Sequence, residues 1–188
     1  MMLLKQLIPA LCYEWRQPMD ILITDAITNA TVTHVLKELL AKKDDKKVIT
    51  LYINSPGGDV DAGYAIYDIL RLSGRKIITY AVSEVFSCAI IIYLAGDERY
   101  ASNYSNFMVH EPYDEYDKDA SITTKEYTKS LKELQVTTDD YFKLISKHTT
   151  LTPTKIKNYV KRAEDGEWYF KTAMAKKLGF VTKIGIPL

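Results

Sequence analysis

The chain has 188 residues, of which 47% are apolar and 26% are charged, and its formal net charge is +1. This composition is typical of a globular domain with a substantial apolar core and excludes a disordered chain. The near-neutral charge gives no electrostatic reason to expect nucleic acid or an anionic membrane as a partner.

Residues 1–18 form a short apolar N-terminal segment, which we expect to dock on a partner or on a neighbouring copy. The apolar run is too short to span a bilayer and matches a signal peptide only weakly. Cys12 and Cys88 allow one disulfide at most, and Cys88 lies in an apolar stretch. We therefore expect a reducing, cytoplasmic compartment. The histidines are far apart and CxxC is absent, so no metal site is predicted.

Strands and helices alternate through the first two thirds of the chain. The patterns predict strands at 20–24, 48–53 and 77–82 and helices at 31–40 and 61–72. The apolar face of the first helix would contain Val32, Val35, Leu36, Leu39 and Leu40. The strand at 48–53 is apolar on both faces, as in a parallel sheet covered by helices. This alternation predicts a layered α/β core, and residues 19–188 are expected to form one domain.

The last third of the chain contains a long helix. After a pair of strands around 100–101 and 107–109 and a polar stretch at 113–121, the pattern predicts a helix from Thr123 to His148. Its apolar seam consists of Tyr127, Leu131, Leu134, Thr138, Tyr141 and Ile145. Such a seam needs a surface to pack against, in its own domain or in another chain. Two further helices are predicted, from Thr152-Pro153 to Val160 and from Thr172 to Leu178 before Gly179.

Ser87 is a candidate nucleophile because it stands between a strand and an apolar helix. The N-terminus of a helix presents free amide groups and a positive dipole end, which favour a developing oxyanion. The amide of Cys88 would be one oxyanion donor, and the Gly57-Gly58 pair would let the Gly58 amide approach as the other. A small polar helix cap is the alternative role for this serine.

His110 is the candidate general base, because it ends an apolar strand and precedes a proline turn. His34 falls off the apolar face of its helix, and His148 lies near a helix C-terminus, where a solvated cation is comfortable. The orienting acid stays open. Asp165 and Glu167 precede Trp168, and the other carboxylates considered are Asp68, Asp97 and Glu111.

Three segments together resemble the proteolytic subunit of Clp protease (ClpP). They are YINSPGGDVDAG at 52–63, VFSCA at 85–89 and FMVHEP at 107–112, within a similarity that runs from about Asp20 to Ile184. The resemblance implies a crotonase-like fold of layered βα units with a protruding handle helix, about 113–148, through which rings meet. It implies a serine endopeptidase that needs no cofactor of its own and forms two stacked heptameric rings. An AAA+ Clp unfoldase that uses ATP would deliver unfolded proteins, while short peptides would enter unaided.

The resemblance also assigns roles by position. Ser87 would be the nucleophile and His110 the base, with oxyanion amides from Gly58 and Cys88. A substrate strand would be flanked by Val60, Pro112 and Tyr113. Counted back from Gly179, the catalytic aspartate of the family falls on Glu167. Glutamate has one more methylene than aspartate, so Asp165 remains the reserve acid.

Several departures mark the chain as a divergent member, from a bacterial, phage or organelle genome. Cys88 stands where methionine is usual and Glu111 where glutamine is usual, and the N-terminal segment, which would line the axial pore, matches poorly. One alternative function is a catalytically inactive subunit that assembles with an active paralogue. Another is a crotonase-type acyl-CoA enzyme, against which the Ser-Pro-Gly-Gly turn and the ordered serine and histidine argue.

Overall fold

The computed structural model describes residues 19–41, 48–113 and 123–187. The predicted N-terminal docking segment, residues 1–18, lies outside the described residues, and so does the beginning of the predicted handle at 114–122.

Strands and helices alternate along the chain, as the sequence predicts. The elements within the described ranges are β1 Met19–Ile23, α1 Asn29–Ala41, β2 Ile49–Ser55, α2 Val60–Leu72, β3 Ile77–Phe86, α3 Ala89–Leu94, β4 Glu98–Ala101, β5 Asn106–Val109, α4 Thr124–His148, α5 Pro153–Arg162, β6 Trp168–Lys171, α6 Thr172–Leu178 and β7 Lys183–Ile184. None of these helices is both long enough and apolar enough to cross a membrane.

The strands form one mixed sheet around β3. The parallel order is β1-β2-β3-β4-β7, while β5 pairs parallel with the end of β3 and antiparallel with β6. β3 is longer than the predicted strand at 77–82, because it continues through Phe86. Its first half therefore pairs with β4 and its second half with β5. Both strands predicted around 100–101 and 107–109 are present, but they pair with successive parts of β3 and not with each other.

The sequence predicts that β2 is covered on both sides, but in the described part of the chain one face of the parallel strands is only partly covered. On that face Tyr52 is half-buried, and Leu22, its neighbour on β1, is 61% exposed. Ile49, Leu51 and Ile53 are fully buried, and every residue of α3 is buried as well. The face predicted for α1 is too broad: Val35 is buried, whereas Leu36 and Leu40 are 41% and 59% exposed. Their exposure arises because α1 packs on β1 and α2 over a narrow stripe.

The long helix α4 begins with a capping box, in which the Thr123 hydroxyl accepts from the Glu126 amide and the Glu126 carboxylate accepts from the Thr123 amide. The C-terminal half of its seam packs on the domain, and Tyr141 and Ile145 are buried there. The N-terminal half is solvent-exposed, with Tyr127 and Leu131 each about half accessible. The described residues therefore cover only part of the seam.

His148, at the end of α4, differs from the solvated cation expected from the sequence. It is partly buried, and its Nε2 lies 2.9 Å from the Tyr67 hydroxyl. Burial, together with the nearby positive charge of Arg99, lowers the pKa of His148 to about 4. The residue is neutral because its environment disfavours a second cation.

Candidate active site

Ser87 occupies a sharp turn between β3 and α3. Its φ is +52°, the one positive value among the described residues other than glycine. The Ser87 amide donates to the Met108 carbonyl (2.9 Å), and its carbonyl accepts from the Tyr141 hydroxyl (2.9 Å). The helix predicted to start at Ser87 starts two residues later, at Ala89. The serine is therefore held in a strained turn, a state typical of functional positions.

His110 follows β5 and meets Ser87 through the sheet register. β3 and β5 are parallel, with Phe86 opposite Met108, so the residues that follow the two strands lie at the same edge. His110 Nε2 lies 2.6 Å from Ser87 Oγ. This distance is within the reach that a general base needs to accept the serine proton.

Opposing effects set the pKa of His110. Burial lowers it below the usual 6.5, whereas the charge of Glu167 and a backbone hydrogen bond at Glu111 raise it, and the net shift is downward. The imidazole is therefore neutral at neutral pH. A neutral imidazole is the form that can accept a proton.

Glu167 stands beside His110 because of the second strand pairing. β5 and β6 are antiparallel, with Val109 opposite Trp168, so the next step of this register brings His110 and Glu167 together. No hydrogen bond joins these two side chains in the described part of the chain. Instead the Glu167 carboxylate accepts from the Tyr169 hydroxyl at 2.5 Å. Glu167 thus acts on His110 through its charge, while its own carboxylate is held by the Tyr169 hydroxyl.

The other carboxylates that the sequence offered lie elsewhere or have another role. Asp165 accepts the Glu167 amide at 3.1 Å and so shapes the turn before β6. Asp97 pairs with Arg71 at 2.6 Å and accepts the Ile77 amide. Asp68 and Glu111 are exposed. Three of the candidates, Glu111, Asp165 and Glu167, line the space next to His110.

The Gly57-Gly58 turn lies against the nucleophile. Both glycines have positive φ, and a Cβ on Gly57 would come within 2.6 Å of Ser87 Cβ. A Cβ on Gly58 would lie 2.4 Å from the Ile27 carbonyl oxygen. Any larger residue would therefore displace the turn from the serine.

The two amides expected as oxyanion donors converge on the Cys88 side chain. Burial raises the pKa of the Cys88 thiol to about 12, while backbone hydrogen bonds at Gly58 and at Cys88 itself lower it. The thiol is therefore protonated at neutral pH. That these amides serve as oxyanion donors remains a prediction.

A cavity of about 520 Å³ opens in front of these groups. Its wall contains Ser87, His110, Gly58 and Glu167, together with the predicted substrate contacts Val60, Pro112 and Tyr113. Cys88 lines a narrow void beside it. Sequence analysis missed Phe86, Met108 and Tyr169, which also line the cavity. Strand periodicity could have predicted Tyr169, because residues two positions apart in a strand lie on the same face and Tyr169 is two positions after Glu167.

The chain is similar to proteins of known type over most of its length. The family model described as Clp protease matches residues 11–187. The ATP-dependent Clp protease proteolytic subunit 2 of Borreliella burgdorferi is 33% identical over 151 residues, which cover 78% of this chain and 71% of that protein. The protein of the same name from Chlamydia abortus is 38% identical over 92 residues, covering 48% and 44%.

A solved structure gives the same result for the fold. A ClpP1 mutant from Listeria monocytogenes matches with a TM-score of 0.77 at 25% identity, covering 89% of this chain and 91% of that one. The ClpP-like α/β fold expected from the sequence is thereby confirmed.

Proposed function

The chain belongs to the Clp protease family as a divergent member, and from this premise we propose that it is a serine endopeptidase subunit that cleaves peptides and unfolded proteins. One observation carries the proposal: Ser87 Oγ and His110 Nε2 are 2.6 Å apart at the wall of an open cavity. A serine paired with a neutral imidazole is the arrangement that acyl transfer requires.

The reaction follows from the positions of these groups. Ser87 Oγ attacks the scissile carbonyl while His110 takes the hydroxyl proton, and the amides of Gly58 and Cys88 stabilise the oxyanion. His110 then gives that proton to the leaving amine, and an ester to Ser87 remains. Water, deprotonated by His110, hydrolyses this ester and restores the serine. Glu167 stabilises the imidazolium that forms in each half-reaction.

The walls of the cavity suit an extended peptide. Val60 lies at the start of α2 on one side, and Pro112 and Tyr113 follow β5 on the other. Tyr113 is 64% exposed, and its ring centroid lies 5.4 Å from that of His110. A peptide between these segments would use backbone hydrogen bonds for affinity, which gives broad sequence tolerance.

The protein would work as two stacked heptameric rings supplied by an AAA+ Clp unfoldase in a reducing, cytoplasmic compartment. The exposed apolar half of α4, which contains Tyr127 and Leu131, supports the stacking of the rings. That surface would be covered by the same helix of a chain in the opposite ring. The unfoldase is proposed from membership of the family, and the compartment from the cysteine content. ATP would be consumed by the unfoldase alone.

The direct test is the Ser87→Ala variant, probed with a fluorophosphonate and a fluorogenic peptide. We expect labelling to disappear and hydrolysis to fall by at least about 10³-fold, because the attacking oxygen is gone. Ser83→Ala is the matched control, since Ser83 is exposed on the same strand. Undiminished labelling of Ser87→Ala would exclude Ser87 as the nucleophile.

The catalytically inactive ring subunit is the second candidate. It is favoured by one observation, namely that Glu167 is hydrogen-bonded to Tyr169 rather than to His110. Purified protein that forms rings yet neither reacts with the fluorophosphonate nor hydrolyses peptide would support this function. Activity that appears only after mixing with a paralogue, and that survives Ser87→Ala, would do so as well.

A further inference from the structure

Tyr169 touches the candidate triad from the side of β6. Its hydroxyl donates to Glu167 Oε2 at 2.5 Å, and its ring packs edge-on against Phe86 with centroids 5.5 Å apart. Phe86 is the residue before Ser87, so the ring rests on the end of the strand that carries the nucleophile. Tyr169, Glu167, His110 and Ser87 line the same cavity.

The strand geometry explains how this contact arises. Glu167 and Tyr169 are two residues apart, so they project to the same face at the start of β6. β6 buries Trp168 and Phe170 on its other face, which fixes the side on which Tyr169 emerges. Tyr169 is opposite Met108 in the antiparallel register, two positions before His110. A strand thus fixes the position of Tyr169, whose hydroxyl is held at the Glu167 carboxylate.

A glutamate that serves as the triad acid needs a hydrogen bond that restrains its carboxylate. The side chain of glutamate has more rotatable bonds than that of aspartate, so an unrestrained carboxylate would spend much of its time in solvent. Glu167 is only partly buried and forms no hydrogen bond to His110 within the described residues. The hydroxyl of Tyr169 is the side-chain donor that restrains it. Charge-assisted hydrogen bonds of this kind are short and directional.

We propose that Tyr169 is a positioning residue of the triad, whose hydroxyl keeps the Glu167 carboxylate against His110 so that a glutamate can serve as the acid. The inference rests on the proposed serine peptidase function. Tyr169 takes no part in proton transfer and acts only through Glu167.

The electrostatics agree with this role. The hydrogen bond to Glu167 raises the pKa of Tyr169 to about 12, so the hydroxyl remains a donor at any working pH. The charge of Glu167 raises the pKa of His110 against the effect of burial. The titratable or charged residues that share cavity walls with His110 in the described part of the chain are Asp59, Cys88, Glu111, Tyr113, Tyr141, Lys161, Asp165, Glu167 and Tyr169. Of the carboxylates in this set, Glu167 is the one whose charge acts on the imidazole.

The test is Tyr169→Phe, which removes the hydroxyl and keeps the ring against Phe86. We expect kcat to fall about three- to tenfold with KM nearly unchanged, because the acid stabilises the imidazolium and does not bind substrate. In this variant the Glu167 carboxylate is less restrained, so its charge raises the pKa of His110 by less than in wild type. The decrease of the fluorophosphonate labelling rate at acidic pH should therefore occur at a lower pH than in wild type. Tyr104→Phe is the matched control, because Tyr104 is 86% exposed and away from the cavity lining.

A double variant distinguishes a role of Tyr169 in positioning Glu167 from a general effect on the structure of the protein. In the Glu167→Gln background, Tyr169→Phe should cause no further loss of kcat, because there is no charge left to position. An equal loss of kcat in both backgrounds would overturn the proposal. So would a rise in kcat for Tyr169→Phe alone, since that would show a tyrosine that withholds the acid from His110.

Failure of the proposed function would be recognised separately. If the wild-type protein reacts with no fluorophosphonate, it is not a serine peptidase by itself, and the role of Tyr169 is then decided by the titration of His110 in NMR spectra of histidine-labelled protein. A lower pKa of His110 in Tyr169→Phe than in wild type supports the positioning role. An unchanged pKa of His110 contradicts it.

Discussion

Asp165 and Glu167 both line the space next to His110, and the strand pairing decides which of them acts on the imidazole. Glu167 is brought alongside by the antiparallel pairing of β5 with β6. Asp165 is turned toward the backbone, where its Oδ1 accepts the Glu167 amide at 3.1 Å. The two candidate acids therefore have different roles: Glu167 acts on the imidazole through its charge, and Asp165 stabilises the turn before β6.

Paired substitutions will identify the acid. Glu167→Gln should lower kcat by about 10²-fold or more, because the imidazolium loses its stabilising charge. Asp165→Asn should stay within about threefold of wild type, since the asparagine oxygen still accepts the Glu167 amide. The measurement is kcat with a peptide substrate, on samples whose native mass matches wild type. A larger loss in Asp165→Asn would reverse the assignment.

Site residues that follow a recognisable apolar strand could be predicted from the sequence. Those that reach the site only through the pairing of two strands could not. Ser87 and His110 each follow an apolar strand, and the structure brings both to one cavity. The relation of Glu167 to His110 depends on how β6 pairs with β5, which the residues around position 167 do not reveal. His148 was misread as a solvated cation because its partner Tyr67 comes from α2, far away in sequence.

At the scale of elements, the end of α4 is organised around a buried arginine. Arg99 is 8% exposed, and its guanidinium donates to the carbonyls of Gly96, His148, Gly179 and Phe180. Two of these carbonyls, at His148 and Gly179, mark the C-terminal ends of α4 and α6, where helix dipoles favour a cation. A neutral His148 completes this arrangement.

The unfolding free energy should depend on pH through His148. The pKa of His148 is about 4 in the folded chain and about 6.5 when unfolded. As pH falls through 6.5 the unfolded chain gains a proton that the folded chain refuses, so the unfolding free energy declines until about pH 4. The contribution is on the order of 1–3 kcal/mol, after allowance for partial exposure.

Urea unfolding at pH 7 and pH 5, at fixed protein concentration, measures this effect. His148→Gln should show a smaller loss of unfolding free energy between the two pH values than wild type. His34→Gln is the matched control, because His34 is exposed on α1. Identical losses in wild type and His148→Gln would show that His148 is not the residue responsible.

At the scale of the whole molecule, the fold leaves an apolar surface that it does not cover. Tyr127 and Leu131, one turn apart on the first half of α4, are each about half exposed within the described residues. An exposed apolar stripe on a projecting helix is typical of an interaction surface. In the proposed assembly it lies between the two rings.

A substitution on this stripe should divide the assembly. Fourteen chains of 21.5 kDa have a mass of about 300 kDa, and seven have about 150 kDa. We expect Leu131→Glu to shift the native mass from the larger to the smaller value, because a buried unpaired charge at the ring contact is unfavourable. Lys132→Glu is the control, since it adds the same acidic side chain one position away. An undivided assembly for Leu131→Glu would place the ring contact elsewhere.

The fold class could be predicted from the sequence, but the strand order could not. Alternating strands and helices predict a layered α/β core with a parallel sheet, although the second face of β2 is less covered than its apolar pattern predicts. β3 pairs with β4 along its first half and with β5 along its second half, and this order depends on the length of β3. The prediction stopped at residue 82 because the polar residues Ser83 and Glu84, which are exposed, interrupt the apolar pattern.

The positive φ of Ser87 has a consequence for evolution. A left-handed backbone at a residue with a side chain costs about 1–2 kcal/mol, which is a visible fraction of the 5–15 kcal/mol by which domains are usually stable. Selection for folding alone would favour glycine at this turn. A serine therefore persists there only as long as its hydroxyl is used, and lineages that lose the chemistry are expected to drift toward glycine at position 87.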